Sequence, residues 1–324
     1  MNILITGGSG FIGSHLTKRL LTEGHRVTVI DNFITSSKAN LKDVVNSPNF
    51  KLIEQDVTTV DIRNLDLGTD NLECVYHLAS PASPNHHSPI SYHALPMQTM
   101  MVNTTGTLNM LNLTKQHGAK FLFASTSEVY GDPQVNPQPE TYNGNVSTTG
   151  PRSVYDEAKR FGETLTAYYS RSNATDTRIV RIFNTYGPNM AKADMRMIVN
   201  FIQQALADTP ITVFGDGRQT RSLCYVDDTV EGLIRLLTYP NTKGEIVNVG
   251  SNEEHTVMEY AQIVKKLTNS QSPIVQSEDL PINDPLQRRA DISKAKVLLD
   301  WQPQVSLEEG LRKTIEYVRT DIYS

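Results

Sequence analysis

The sequence predicts an α/β fold in which helices cover both faces of a doubly wound parallel sheet. Three observations support this prediction. Short apolar runs alternate with helix-like segments through the first half of the chain, as in consecutive strand–helix–strand units. A glycine-rich turn joins the first apolar run to the first helix-like segment. An aspartate, Asp31, directly follows the second apolar run.

The predicted strands and helices follow one another regularly up to residue 188. Each strand is a short, mostly apolar run, which suits burial on both faces of a parallel sheet. The helix-like segments carry apolar side chains at helical spacing, as at Ala158, Phe161 and Leu165. The predicted strands are residues 2–6, 26–30, 51–55, 73–78, 120–124 and 178–183. The predicted helices are residues 14–21, 103–113 and 155–170.

Beyond residue 188 this alternation fades, and we expect a smaller C-terminal α/β lobe that binds the substrate. The predicted elements there are a helix at 192–207 and strands at 211–217 and 245–250. Residues 1–188 are expected to form the larger, first domain, with later segments around 219–250 returning to it. Residues 189–324 would then form most of the substrate lobe, which is discontinuous.

The turn after the first strand has glycines at a spacing typical of dinucleotide-binding sites. Gly7, Gly10 and Gly13 are three residues apart. Gly8, Gly10 and Gly13 also fit the alternative spacing Gly-x-Gly-x-x-Gly. Glycine permits a tight turn and lets the backbone approach a pyrophosphate at the amino end of a helix. Asp31 follows at about the 20-residue interval where a carboxylate accepts a hydrogen bond from a ribose 2′-hydroxyl. Because this carboxylate repels a 2′-phosphate, the sequence predicts a Rossmann-type domain that binds NAD rather than NADP.

A second motif combines a strand end with a helix. Ser125 to Glu128 follow the strand at 120–124, and open α/β sheets bind ligands at the carboxyl ends of their strands. Tyr155 and Lys159 are four residues apart, so they share one face of the predicted helix. An ammonium group beside a phenol lowers its pKa from about 10, and such a tyrosine takes a proton from a sugar hydroxyl near neutral pH. The alternative is an ordinary helix with a surface tyrosine and lysine.

Composition and charge exclude several classes of protein. The chain has 324 residues and a net charge of −5 without a basic stripe, so we expect no nucleic-acid partner. No apolar run approaches the roughly 18 residues of a membrane span, and the first residues do not resemble a signal peptide. Cys74 and Cys224 lie far apart and fit neither a disulfide framework nor a metal motif. We therefore expect a cytoplasmic, reducing setting without membrane association.

A loop containing several prolines carries His86, His87 and His93. Three histidines suggest a metal, but no cysteine or carboxylate joins them at ligand spacing. Two adjacent histidines also do not easily bind one ion. We therefore expect a solvated loop near the site and no metal.

Charged residues outside these motifs leave two alternatives open. Asp56, at the end of the third strand, either accepts a hydrogen bond from an adenine amino group or belongs to a plain turn. Arg221 and Arg288 stand in an acidic chain, and arginine forks suit phosphate and carboxylate groups. The alternative for each arginine is a surface ion pair.

Together with the segment from Arg181 to Pro188, these motifs resemble the extended short-chain dehydrogenase/reductases that act on nucleotide sugars. The resemblance covers nearly the whole chain. Within this family the chain is most similar to the branch that decarboxylates UDP-glucuronate. The segments that carry this similarity are 77–84, 124–132, 150–160, 219–221 and 284–288.

The resemblance implies an NAD-dependent conversion of UDP-glucuronate to UDP-xylose by C4 oxidation, loss of carbon dioxide and C4 re-reduction. The implied catalytic residues are Thr126, Ser127, Glu128, Tyr155, Lys159 and Arg288. The implied substrate contacts are Asn184, Arg221 and Arg288. The implied NAD contacts are Gly7, Gly10, Phe11, Ile12, Gly13, Asp31, Asn32, Asp56, Val57, Leu78, Ala79, Tyr155 and Lys159. Similar family members pair through the helices matching 103–113 and 155–170, so we expect a homodimer.

Two departures from the family pattern flank the expected sugar pocket: the loop at 85–96 is longer, and Ser147 to Thr149 replace an Asn-Pro segment. The enzyme alternatives are a 4,6-dehydratase and a 4-epimerase of nucleotide sugars. Similar dehydratases carry Asp-Glu in place of Ser127-Glu128, and a serine hydroxyl is a poor acid for a departing hydroxyl group. A non-catalytic dinucleotide sensor or scaffold is disfavoured because mere binding does not need an activated phenol.

Overall fold

A parallel sheet forms the centre of the structure, a computed structural model that describes residues 1–69, 71–281 and 284–322. The strands in the described residues are β1 Asn2–Thr6, β2 Arg26–Asp31, β3 Phe50–Glu54, β4 Cys74–His77, β5 Lys120–Thr126, β6 Asp176–Ile182, β7 Thr185–Tyr186, β8 Ile211–Phe214, β9 Thr220–Ser222, β10 Cys224–Tyr225, β11 Ile246–Val249, β12 Glu254–Thr256, β13 Ile274–Glu278 and β14 Gln287–Arg288. The helices are α1 Phe11–Thr22, α2 Pro96–Met101, α3 Thr107–His117, α4 Ser153–Asn173, α5 Met197–Leu206, α6 Val226–Thr238, α7 Val257–Thr268, α8 Ser293–Leu299 and α9 Leu307–Ile322.

The order of strands across the main sheet is β11-β6-β5-β4-β1-β2-β3, and every neighbouring pair is parallel. Alternate residues of β1 pack into cores on opposite faces: Ile3 and Ile5 lie in one core with α1 and α6, and Leu4 lies in the other with α3 and α4. The sheet is therefore covered by helices on both sides, which explains the continuous apolar strands. This arrangement confirms the predicted fold class.

The predicted strands of the main sheet are present within a few residues of their expected bounds. The helix predicted to begin at Asn103 differs more, because helical structure already starts at Pro96 and continues through a π-helical turn at Val102–Gly106 into α3. The proline occupies the first helical turn, where its missing N–H costs nothing because an amide there has no acceptor within the helix. The sequence prediction places this boundary too late because it assigns Pro96 to the preceding loop.

After β6 the chain builds smaller sheets beside the carboxyl edge of the main one. These sheets have the orders β12-β9-β14, β13-β8 and β10-β7, and α5, α7 and α9 pack together next to them. β11 returns to the main sheet beside β6, within the segment expected to do so. The division of the chain at residue 188 stays a prediction. No helix in the described part of the chain combines the length and apolar character needed to cross a bilayer.

Candidate active site

A cleft of about 640 Å³ lies at the carboxyl ends of the central strands. It brings together residues that are widely separated in sequence, and most of the predicted site residues line it. Those lining residues are Gly7, Gly10, Phe11, Ile12, Gly13, Asp31, Asn32, Asp56, Val57, Leu78, Ala79, Thr126, Ser127, Glu128, Tyr155, Lys159 and Asn184. Arg221 and Arg288 are the predicted site residues that do not line it.

The glycines of the turn differ in how much space the structure leaves for a side chain. Gly7 has φ +71° and a Cβ there would lie 2.8 Å from the Ala79 backbone, whereas a Cβ on Gly13 would lie 2.1 Å from the Gly7 carbonyl oxygen. Both positions are therefore fixed by close packing of the backbone. A Cβ on Gly10 would meet only the Gly7 oxygen, at 3.2 Å, so this residue faces open space at the start of α1. Amides in the first turn of a helix have no acceptor within it, which suits an anion such as a pyrophosphate.

Two carboxylates stand at the ends of β2 and β3. Asp31 accepts hydrogen bonds from the Ser9 amide at 2.9 Å and from the Ser36 hydroxyl at 2.7 Å. Asp56 accepts one from the Asn32 side chain at 2.8 Å. Burial opposes ionisation of Asp56, but hydrogen bonds from Thr58 and Asn32 outweigh it and lower its pKa. Both carboxylates are thus held in place along one side of the cleft, where they could contact a ribose and a base.

Tyr155 and Lys159 lie on the buried face of α4. The Lys159 ammonium donates to the Ala124 carbonyl at 2.7 Å and lies 5.7 Å from the centre of the Tyr155 ring. Burial lowers the pKa of Lys159 to about 7. Burial raises the pKa of Tyr155, the negative charge of Glu128 raises it further, and a hydrogen bond with Thr126 opposes them. The expectation that Lys159 lowers the pKa of Tyr155 is wrong for this arrangement, because burial of the phenol dominates.

Tyr92 was given no role by the sequence, yet it lies directly on Tyr155. The two rings are parallel within 6°, with centroids 4.9 Å apart, and Tyr92 is completely buried. Tyr92 belongs to the loop at 85–96, which was expected to be solvated. In the sequence, Tyr92 stands out only as an aromatic residue in a polar loop, and this does not indicate that it stacks on Tyr155.

A cluster of ion pairs lies behind the cleft and is centred on Glu128. Arg288 donates to both carboxylate oxygens of Glu128, at 2.6 and 3.1 Å. Arg152 donates to Glu128 and, at 3.2 Å, to Asp284. Asp284 accepts a further bond from Arg221 at 2.7 Å. Of the two predicted arginines, Arg288 contacts a carboxylate that lines the cleft, whereas Arg221 is connected to it only through Asp284 and Arg152. Arg152 and Asp284 have no role assigned from the sequence.

Two carboxyl groups in and beside this cluster, Glu128 and Asp156, have pKa values shifted in opposite directions. Burial opposes the charge of Glu128, but Arg152 and Arg288 hold its pKa at about 2. Asp156 is also buried, and burial and the Glu128 charge raise its pKa to about 8. One oxygen of Asp156 has no hydrogen-bond partner among the described residues. Near neutral pH the site thus combines an ionised Glu128 with a mostly neutral Asp156.

A dinucleotide-binding sheet with a tyrosine and a lysine four residues apart on a helix beside the glycine turn defines the short-chain dehydrogenase/reductase class. Residues 3–250 match the NAD dependent epimerase/dehydratase family, and the chain belongs to that family. Its relatives include UDP-glucuronic acid decarboxylase 1 of Danio rerio, 48% identical over 99% of this chain and 73% of the relative. UDP-glucuronic acid decarboxylase 3 of Arabidopsis thaliana is 50% identical over 96% of this chain and 87% of the relative.

Solved structures with the same fold include two epimerases. UDP-glucose 4-epimerase of Thermotoga maritima has a TM-score of 0.89 and 30% identity, covering 99% of this chain and 100% of its own. UDP-glucuronic acid 4-epimerase of Bacillus cereus, solved with UDP-glucuronic acid and NAD, has a TM-score of 0.86 and 32% identity, covering 99% of both chains.

Proposed function

We propose that this protein converts UDP-glucuronate to UDP-xylose and carbon dioxide with NAD as a regenerated cofactor. The observation that carries the proposal is the ionised Glu128, held by two arginines beside Tyr155 and preceded by Ser127 instead of an acid. The names of the relatives at 46–50% identity support the same activity.

The residues at the cleft fit NAD. The Gly10 position leaves space at the start of α1 for the pyrophosphate, with the amides of Phe11 and Ile12 nearby. Asp31 would accept hydrogen bonds from the ribose hydroxyls, and Asp56 would accept a hydrogen bond from the adenine amino group. When bound, NAD accepts a hydride from C4 of the sugar and later returns it.

Tyr155 would act as the base for the C4 hydroxyl and later give the proton back, which requires the positive charges of Lys159 and of bound NAD to offset the effect of burial on the pKa of Tyr155. Its hydroxyl is hydrogen-bonded with Thr126, and the Lys159 ammonium lies 5.7 Å from the centre of its ring. With the C4 ketone formed, the sugar carboxylate is β to a carbonyl, so the bond from C5 to the carboxylate breaks with its electron pair moving into the ketone. A proton must then add at C5. Glu128 would hold the ring through its hydroxyls or a water while this occurs.

The charge of the cluster favours an acidic sugar. Three guanidinium groups, Arg152, Arg221 and Arg288, surround two carboxylates, Glu128 and Asp284, while Asp156 is mostly neutral near pH 7. The cluster therefore has one unit of excess positive charge close to the cleft. A uronate gains from this charge, whereas a neutral hexose does not.

Incubation with two substrates in turn separates the candidates. Purified protein with UDP-glucuronate should yield UDP-xylose and one carbon dioxide per substrate consumed, measured by mass spectrometry and release of labelled carbon dioxide. Formation of UDP-galacturonate without carbon dioxide would instead identify a 4-epimerase, the activity of the Bacillus cereus relative. Turnover of a neutral nucleotide hexose with loss of water would identify a dehydratase.

We further propose that the protein is a cytoplasmic homodimer. Large apolar side chains are exposed along α2 and α3 at Met97, Met101 and Leu108, and along α4 at Phe161 and Tyr168. The helices pack side by side, and a second copy packed against them would bury these side chains. Cys74 and Cys224 are free and buried, which supports a reducing compartment. A monomeric mass by light scattering at micromolar concentration would contradict the dimer.

A further inference from the structure

The loop between β4 and α2 has two distinct sides. Its inner side lines the cleft through Ser83 and Ile90. At its base, Ser83 donates to the Asp194 carbonyl at 2.6 Å and Asn85 donates to the Met195 carbonyl at 2.8 Å. The loop is therefore fixed to the segment that precedes α5, and its outer side carries the histidine pair.

His86 and His87 point to the same side of this loop, although adjacent side chains of an extended chain point apart. The Ser88 amide donates to the Asn85 carbonyl at 3.0 Å, which makes the two histidines the central residues of a turn. Their ring centroids are 4.0 Å apart, and the His86 ring also stacks on Phe214. The objection that neighbouring histidines do not easily bind one ion thus does not apply to this turn.

Glu278, in β13, supplies the carboxylate that the sequence around the histidines lacks. Its two oxygens lie 2.9 Å from His87 Nε2 and 3.5 Å from His86 Nε2. One ligand atom from each residue lies within 4.8 Å of the others. Ligands about 2.0–2.2 Å from a tetrahedral Zn²⁺ are about 3.3–3.6 Å apart, so small side-chain rotations would suffice to surround an ion.

We propose that His86, His87 and Glu278 bind one divalent transition-metal ion, such as Zn²⁺, which fastens the loop to β13 beside the cleft. Two imidazoles and a carboxylate suit Zn²⁺, Co²⁺ or Ni²⁺ and are unsuited to Mg²⁺ and Ca²⁺, which take oxygen ligands. Water would complete the coordination. None of the three residues lines the cleft, so the ion has a tethering role outside the chemistry of the proposed decarboxylation.

Cobalt titration of the full chain, without an affinity tag, tests the proposal. Co²⁺ should give a visible absorption band that saturates at one ion per chain and is displaced by Zn²⁺. Loss of an outer-shell partner already costs about 10- to 100-fold in metal affinity, so His86→Ala, His87→Ala and Glu278→Gln should each weaken binding at least about tenfold. All three side chains are exposed, and these variants should fold normally.

His255→Ala is the matched control. His255 lies near the carboxylates of Glu253 and Glu259 but has no second histidine beside it, so this variant should bind Co²⁺ like wild type. Zn²⁺ should also raise the Tm of wild type and of the control, and leave that of a His86→Ala/His87→Ala double variant unchanged. Absence of stoichiometric binding at micromolar metal, or equal binding by the double variant, would overturn the proposal and leave plain His–Glu ion pairs.

Discussion

The Tyr92 ring lies flat on the Tyr155 ring, with 4.9 Å between their centroids. Tyr155, the proposed base, is therefore contacted on one side by the loop residue Tyr92. It also lies near Lys159 of its own helix and is hydrogen-bonded with Thr126 of β5. Because a proton transfer depends on the exact position of the donor oxygen, the orientation of Tyr155 is a property of the loop as well as of α4.

Replacing Tyr92 tests this relationship. An aromatic stack is worth about 0.5–1.5 kcal/mol, so Tyr92→Leu should lower kcat by about 2- to 10-fold through misplacement of Tyr155. Tyr92→Phe keeps the ring and should retain most of the kcat. The measurement is steady-state carbon dioxide release; equal losses in the two variants would show that the ring stack is not what matters.

Tyr155→Phe should remove most of the turnover while substrate binding persists. General base catalysis is worth about 10²- to 10⁴-fold, and the variant loses only the hydroxyl from a buried ring. Calorimetry with UDP-glucuronate provides the control for binding. Turnover within a few-fold of wild type would refute the assignment of the base.

Gly10→Val should abolish NAD binding in a folded protein. Gly10 has φ −72°, which any residue can adopt, and its Cβ would meet only the Gly7 oxygen at 3.2 Å. The side chain would instead occupy the space of the pyrophosphate. Circular dichroism checks the fold and calorimetry the affinity, and a folded variant with unchanged NAD affinity contradicts the cofactor site. Gly13→Ala should by contrast disturb the fold itself, since its Cβ would lie 2.1 Å from a carbonyl oxygen.

Arg288→Ala should slow carbon dioxide release and leave NAD affinity nearly unchanged. The substitution removes two hydrogen bonds to Glu128, while Arg152 still holds that carboxylate. Arg288 does not line the cleft and acts by positioning Glu128, and a misplacement of about 1 Å costs up to about 10²-fold in rate. Arg289→Ala is the matched control. Arg289 is adjacent to Arg288 in the sequence, but its side chain is more exposed than that of Arg288 and faces Glu254. A normal rate and KM for Arg288→Ala would defeat the assignment.

Asp156→Asn should change how stability depends on pH. The pKa of Asp156 is about 8 in the folded protein, whereas the ordinary value for an exposed aspartate, as in the unfolded chain, is 3.8. The folded protein therefore binds more protons than the unfolded chain between these values, and the stability this group contributes is lost as the pH rises towards the folded pKa. Relative to wild type, the variant should gain stability as the pH rises between the two pKa values, so its advantage should be clearly larger at about pH 8.5 than at about pH 5 when both are unfolded in urea. The same difference at both pH values would contradict the raised pKa.

Local patterns were sufficient to predict the sheet and the cofactor side of the cleft. The glycine turn, Asp31 and the Tyr155–Lys159 spacing each lie within one strand–helix unit, where sequence separation determines geometry. The pairs Glu128–Arg288, Tyr92–Tyr155 and His87–Glu278 join segments far apart in the chain. Their partners depend on tertiary packing, which periodicity and spacing do not encode. The pKa of Tyr155 was mispredicted for the same reason, since the extent of burial is a property of the whole fold.

The bond between Arg288 and Glu128 also spans 160 residues of sequence. During synthesis, the strands and glycine turn of the main sheet emerge from the ribosome well before Arg288 does. Glu128 is therefore without one of its two arginines until the segment that contains Arg288 has emerged and folded. The ion-pair cluster is thus completed by β14, which pairs with β9 in the three-stranded sheet and not with the main sheet.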